Sequence, residues 1–276
     1  MLAAVLPAGA QLAATTPAGV PLPSWWGVAL TLVLVAVAAF VIAREQLGLE
    51  RDLLIAVLRA GVQLIAVGAV LRVVFERTGL PGSLFWVTGM VVLGGRTAGS
   101  RARGLPHPIA IATAGLAAAT GSTLGLLLVA RVISTEPRVV VPLGGMIVSA
   151  SMAGTTLVLA RIHDEVNSSR SLIEARLALG LPGREAFRAH LRLALRSALI
   201  PTIDQTKIVG LIVLPGAMTG LIIAGVDPLQ AIRYQIVVMY MGLGAAAISA
   251  LVSARLMTRQ LFDDAHRLRR MAVDAR

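Results

Sequence analysis

The sequence contains no cysteine and a single lysine, Lys207, and only 14% of its 276 residues are charged. Without cysteine there are no disulfides, no thiolate metal ligands and no cysteine nucleophile. The scarcity of charge excludes a larger class. Soluble domains carry about 25% charged residues, and a 28.7 kDa chain with so few could not coat its surface against water. Hydrophobic residues make up 57% and mean hydropathy is +0.82, so the bilayer is the solvent for most of the chain. Lys207 follows Thr206 and precedes Ile208, so there is no Gly-x-x-x-x-Gly-Lys-Ser/Thr loop to cradle nucleotide phosphates. The four histidines (107, 163, 190 and 266) are scattered and form no His-Glu-x-x-His pattern. His163-Asp164-Glu165 reads more simply as a solvated helix end than as a metal contact. Neither a catalytic constellation nor a cofactor is expected, and the sequence names no metal ligand set.

No basic residue precedes Arg44, so residues 1–24 lack the positive region of a secretory signal and read as an extracytoplasmic tail. Beyond it lie apolar runs of spanning length at residues 25–43, 53–75, 83–95, 108–130, 139–160, 198–226 and 231–255. Trp25 and Trp26 suit an interfacial belt at the first of these. The second run is interrupted by Arg59, Gln63 and Arg72. The expected fold class is therefore all-α and polytopic, with about seven transmembrane helices over residues 25–257.

The net charge of +11 follows the same plan. Its arginines fall mostly in the breaks between apolar runs, which is the positive-inside pattern rather than a nucleic-acid groove. Arg96, Arg101 and Arg103 share one break. Residues 161–197 hold seven Arg against four acids, and the tail at 258–276 adds Arg259, Arg267, Arg269, Arg270 and Arg276. Two spans separate each basic segment from the next, so all three lie in the cytoplasm together. The amino terminus is then outside and the carboxyl terminus inside. Gly121–Gly125 and Gly216–Gly220 have the GxxxG form that favours close helix crossings.

The longest polar stretch, residues 161–197, reads as a cytoplasmic helix-turn-helix at the membrane surface, broken at Gly180-Leu181-Pro182-Gly183. In its second half Arg184, Arg188, Arg192 and Arg196 make a basic stripe beside Phe187, Leu191 and Leu195, as expected of a helix lying among headgroups. The first half carries Glu174-Ala175-x-x-x-x-Gly180. That spacing resembles the cytoplasmic signature of ABC permeases, in which a short helix plugs into the ATPase subunit.

The resemblance extends along the chain from about Arg51 to Met257. Leu58 to Leu64, Pro142-Leu143-Gly144-Gly145-Met146-Ile147, Leu214-Pro215-Gly216-Ala217-Met218-Thr219-Gly220, Asp227-Pro228-Leu229 and Tyr234 to Met239 are similar to the FetB-type family of ABC permeases. That family includes bacterial iron exporters and plant aluminium-tolerance proteins. There are departures: Ser149-Ala150-Ser151-Met152 stands where the iron exporters tend to have Gly-Asn-Ser-Met, Ala217 replaces a Met, and Asp204 to Lys207 looks more like the plant branch. The resemblance implies a permease subunit exporting iron or another metal, working as a homodimer with a cytoplasmic ABC ATPase docked at Glu174, Ala175 and Gly180.

Several residues within the spans are candidates for the translocation pathway. Asp204 and Lys207, three apart, share a helical face as a structural ion pair or a gate. Arg59 and Gln63, four apart, allow the same two readings. Pro215 should kink or break its helix, exposing carbonyls beside Met218 and Thr219 to a cation, or leaving only a passive kink. Met146 joins them from the Gly-Met-Ile stretch. Two rival functions remain: an ABC permease for a non-metal solute, and an ion-coupled secondary transporter using Asp204 and Lys207.

Overall fold

The structure, a computed structural model, describes residues 24–46, 48–77, 79–102, 104–210, 212, 214–263, 265 and 267–269. The tail expected at 1–24 lies outside them except for Ser24, as do Arg103, His266, Arg270 and Arg276 and the side chains of Trp25 and Arg72. Among the described residues the chain is helical: α1 (Trp25–Arg44), α2 (Glu50–Arg77), α3 (Gly79–Ser100), α4 (Pro108–Val129), α5 (Pro137–Ser168), α6 (Arg170–Ala178), α7 (Gly183–Ala186), α8 (Arg188–Ile208), α9 (Gly216–Ile223) and α10 (Pro228–Gln260). Four of these, α1, α4, α5 and α10, are long and apolar enough to cross a bilayer. The chain divides into two compact units, Met1–Val73 with Pro215–Arg233, and Val74–Leu214 with Tyr234–Arg276.

The first unit is built from helices with clear local signals and little burial. Ser24 caps α1, its Oγ accepting the Gly27 N–H at 3.2 Å. Glu50 and Asp52 occupy the first turn of α2, where the helix dipole favours anions. Pro215 precedes α9, and Asp227 receives the N–H groups of Leu229 and Gln230 to start α10. The apolar span of α1 has no buried residue, and neither has α9.

The second unit carries the core. One cluster joins Val87 and Val91 of α3, Leu116 and Leu124 of α4, Val140, Leu143 and Ile147 of α5, and Met241 and Ala245 of α10. The other joins Ala98, Ile111, Val158, Ile162, Ala250 and Met257 to Ile173, Phe187 and Ala194. The order of these residues shows that α3, α5 and α10 run in one direction and α4 in the opposite one. Small residues set the crossings. An added Cβ on Gly154 of α5 would lie 2.7 Å from the Ala246 carbonyl oxygen of α10. Gly95 and Gly99 of α3 lie against Thr113 and Ile109 of α4, and Gly115 against Ser253. Along the α5–α10 seam, the Ser249 hydroxyl donates to Ser151 O at 2.9 Å, and Thr155 and Ser253 hydroxyls meet at 3.2 Å.

The structure revises the expected boundaries. The run at 198–226 is not one helix: α8 stops at Ile208, Gly210 turns at φ +84°, and α9 starts only after Pro215. The segment 161–197 is not a separate element either. Its first residues finish α5 and its last ten belong to α8, because 139–160 ends in no breaker and Ser197-Ala198 offers none. The stripe of Phe187, Leu191 and Leu195 packs into the protein core rather than among headgroups, while Arg184, Arg188, Arg192 and Arg196 are exposed as expected. Among the described residues nothing lies within 4 Å of an added Cβ at Gly121, Gly125, Gly216 or Gly220, so neither GxxxG pair meets a helix there. Gly121 and Gly125 instead line an open apolar groove of about 440 Å³ between α3 and α4.

Candidate functional site

Two features of the fold concentrate the candidate residues: the α6–α7 corner and the interrupted stretch between α8 and α9. With 32 and 33 residues, α5 and α10 are each about 50 Å long at 1.5 Å per residue. A hydrocarbon core is about 30 Å thick, so both helices overhang it. The corner sits at this overhanging end, with the carboxyl ends of α3, α5 and α10.

Helix α6 is held by one face. Ile173 is fully buried in the core and Leu177 packs beside it. The opposite face, with Glu174, Ala175, Ala178 and Leu179, is exposed, and Leu172 and Leu179 are uncovered apolar side chains. Glu174 accepts the Arg170 Nε–H at 2.8 Å across one helical turn. Gly180 ends the helix with φ +87°, and the Leu181 and Gly180 N–H groups reach back to Arg176 O and Leu177 O at 3.2 and 2.9 Å. That is a left-handed cap that glycine adopts without strain. The three residues predicted to couple to an ATPase thus lie on one short helix and its cap.

The corner is tied down by contacts that sequence spacing did not reveal. Arg176 Nη1 donates to Ala186 O at 3.0 Å, fastening α6 to α7. His190 Nδ1 and Glu165 Oε2 lie 2.7 Å apart, joining α8 to α5, with the imidazole 10% exposed and stacked on Phe187 at 5.7 Å. His190 Nε2 is buried with no partner among the described residues. Glu165 therefore faces α8, and His163 bonds to Asn167 instead of joining it. Among the described residues no group of three or more His, Asp or Glu could hold a metal ion. The segment beyond α10 also returns here. The Asp263 carboxyl is held below its ordinary range chiefly by the Arg267 backbone N–H, against partial desolvation, and further by the Arg267 side chain and charge and the Ala265 N–H.

The pathway candidates are distributed over both units. Lys207 Nζ donates to Asp204 Oδ1 at 2.8 Å, so the expected pair forms, and both side chains are more than half exposed. Arg59 and Gln63 are exposed on α2 and form no such bond with each other. Met146 is exposed on α5. At the start of α9 the Pro215 carbonyl accepts both the N–H and the hydroxyl of Thr219, at 3.0 and 3.1 Å. Both bonds lie within the first turn of α9, and the donating Thr219 hydroxyl keeps its acceptor lone pairs. Met218 is half-buried beside them.

Residues 25–262 match the model of UPF0014, described as an uncharacterised protein family. The chain belongs to that family. Its relatives include the UPF0014 membrane protein STAR2 of Oryza sativa subsp. japonica, 40% identical over 85% of this chain and 82% of that protein. Protein ALUMINUM SENSITIVE 3 of Arabidopsis thaliana is 37% identical over 87% and 88%. The protein named "Probable iron export permease protein FetB" of Escherichia coli K12 is 35% identical over 87% and 93%. The resemblance drawn from the sequence motifs is thereby shown across nearly the whole chain. No solved structure matches. A UPF0014 chain with four helices of spanning length and composition is a polytopic membrane protein.

Proposed function

We propose that this UPF0014 protein is the membrane-spanning permease of an ABC transporter that exports iron or another metal. The observation that carries the reading is the uncovered face of α6. A nine-residue helix buries Ile173 and presents Glu174, Ala175 and Leu179 outward, at the overhanging end of two membrane-length helices. An apolar and acidic helix face on a polar corner suits a protein partner rather than water. The chain has no nucleotide-binding loop, so the partner that docks there is the ATPase.

Seven crossings accommodate the chain if α1, α2, α3, α4, α5, the broken α8–α9 pair and α10 each traverse the bilayer. The α6–α7 corner and the arginine-bearing segments at 96–103, 161–197 and 258–276 then face the cytoplasm, which puts the carboxyl terminus inside and the amino terminus outside. Two copies with two ATPases complete the transporter. The break marked by Gly210 and Pro215, with Met218, is the stretch that lines the pathway, because broken helices at membrane depth persist where they border a cavity or other protein. Asp204, Lys207, Arg59, Gln63 and Met146 are its further candidate residues.

Co-purification in mild detergent tests the reading. The wild-type chain should carry an ATPase subunit with it. Glu174→Lys inverts a charge on the docking face, and Gly180→Pro imposes a φ near −65° where the cap requires +87°. Both should insert normally and lose the ATPase. If wild type binds no ATPase and vesicle transport runs on an ion gradient alone, the ABC reading is wrong. The bonded Asp204–Lys207 pair then becomes the leading site of a secondary transporter.

A further inference from the structure

After α10 the described residues 261–263, 265 and 267–269 double back as a small hairpin: the Asp263 N–H donates to Arg267 O at 3.0 Å and the Arg269 N–H to Leu261 O at 2.9 Å. Phe262 and Leu268 pair as an antiparallel bridge at its centre. The Asp263 carboxylate closes the turn, accepting the Arg267 backbone N–H at 2.7 Å and its Nε–H at 2.9 Å. Leu261, Phe262 and Leu268 are all buried in the cluster that holds Ile173 and Phe187.

Phe262 lands on the α6–α7 corner itself. Its ring leaves no space for a side chain at residue 183, since an added Cβ there would lie 2.6 Å from Phe262 Cγ. The same ring meets Phe187 edge-on at 6.5 Å between centroids. This contact falls where the corner is weakest. Helix α7 has four residues, and the link from Leu179 to Pro182 contains a left-handed glycine and a proline. A push on α6 would be absorbed by such a joint unless something stiffened it.

We infer that the C-terminal hairpin is a clasp in which Phe262 and Leu268 are positioning residues, fastening the α6–α7 corner to the end of α10. The inference rests on the permease reading for its purpose but not for its geometry. Helix α6 follows α5 with only Ser169 between them. The clasp adds α10, so force applied at Glu174 and Ala175 reaches two membrane helices that share the Ser249–Ser151 seam. Gly183 is glycine because Phe262 occupies the place of its Cβ. No positive φ requires it.

Hydrogen exchange of the full chain in detergent, together with metal-stimulated ATP hydrolysis of the reconstituted complex, tests this. Phe262→Ala should raise exchange at residues 183–190 by roughly tenfold while the α5–α10 seam keeps its protection. Gly183→Ala is the second variant. It keeps the phenylalanine at 262 and improves local helix propensity, yet it should raise the same exchange because the new methyl displaces the ring. In the complex, both variants should still bind the ATPase but lose most of the stimulation by Fe²⁺. Unchanged exchange in both variants overturns the clasp. Raised exchange with full stimulation overturns its positioning role. A wild-type chain that binds no ATPase rejects the permease reading, and the clasp then stands or falls on exchange alone. Because the chain has no cysteine, a Gly183→Cys, Phe262→Cys pair adds a direct check. Oxidation should cross-link it within one chain and restore the protection that Phe262→Ala removes, and failure to cross-link counts against the contact.

Discussion

The two units of this protein solve the same problem in different ways. In the second, helices meet through glycine, alanine and serine, so backbones approach closely and side chains such as Leu143, Ile147 and Leu159 are fully buried. In the first, α1 and α9 bury nothing, and Leu54, Leu58, Val62, Leu64 and Ile65 of α2 are exposed. Glycines occur in both. Gly61 and Gly68 of α2 have open space where a Cβ would be, whereas Gly154 and Gly144 of α5 do not. Composition alone does not separate the two. What separates them is whether a small residue is matched by a partner surface from another helix.

That contrast can be broken or sharpened by substitution. The largest effect should come from Gly154→Leu, which forces a side chain onto the Ala246 carbonyl. Overpacking of this kind costs about 3 kcal/mol or more where backbone blocks relief, while Gly61→Leu should stay within about 0.5 kcal/mol. Thermal unfolding in detergent reads both, and equal losses would erase the distinction between the units. Next, His190→Ala should cost about 2 kcal/mol by leaving the Glu165 carboxylate half-buried without its partner. A double-mutant cycle with Glu165→Ala should recover about 1 kcal/mol as coupling. Ser249→Ala removes one interhelical hydrogen bond and should cost only about 0.6 kcal/mol, the usual value within bilayers.

Smaller still is the exposed pair on α8: replacing Asp204 with Asn and Lys207 with Gln together should move stability by less than about 1 kcal/mol. A much larger loss would mean that the pair is buried by something beyond the chain. The least effect at neutral pH belongs to Asp263. Its folded pKa is depressed, so its contribution is complete above the unfolded value and disappears as pH falls through the folded one. Exchange in the hairpin should therefore rise with acid only below the ordinary carboxylate value of 3.8.

Much of the architecture was legible because it depends on local composition. Long apolar runs bounded by charge located α1 and α4 nearly to their ends, and found the membrane-length parts of α5 and α10. The break near Pro215 was also legible, since proline cannot continue the preceding helix. Gly180 at the end of α6 followed from its spacing. The extent of α5 was not. Residues 161–168 are polar enough to be assigned to the cytoplasmic helix-turn-helix and not to the span before it, but they contain no breaker, and Ile162 and Val166 supply a buried face at helical spacing. The GxxxG pairs misled for a related reason: the motif states that close approach is allowed, not that a partner is present.

The candidate site divides in the same way. Glu174, Ala175 and Gly180, and the Asp204–Lys207 pair, are separated by a few residues of helix, so their shared faces follow from 3.6-residue periodicity. Glu165 with His190, Gly183 with Phe262, and Thr219 with the Pro215 carbonyl depend on how the chain is folded or on which local bond wins. By itself the sequence determined the solvent, because so few charges and so many apolar residues are stable only in a bilayer, and it determined where helices begin and break, because those signals act within a few residues. Only the tertiary structure decided which glycines are crowded, where α5 ends and what the carboxyl-terminal segment holds, because a contact across 79 positions of chain is set by shape and by no local preference.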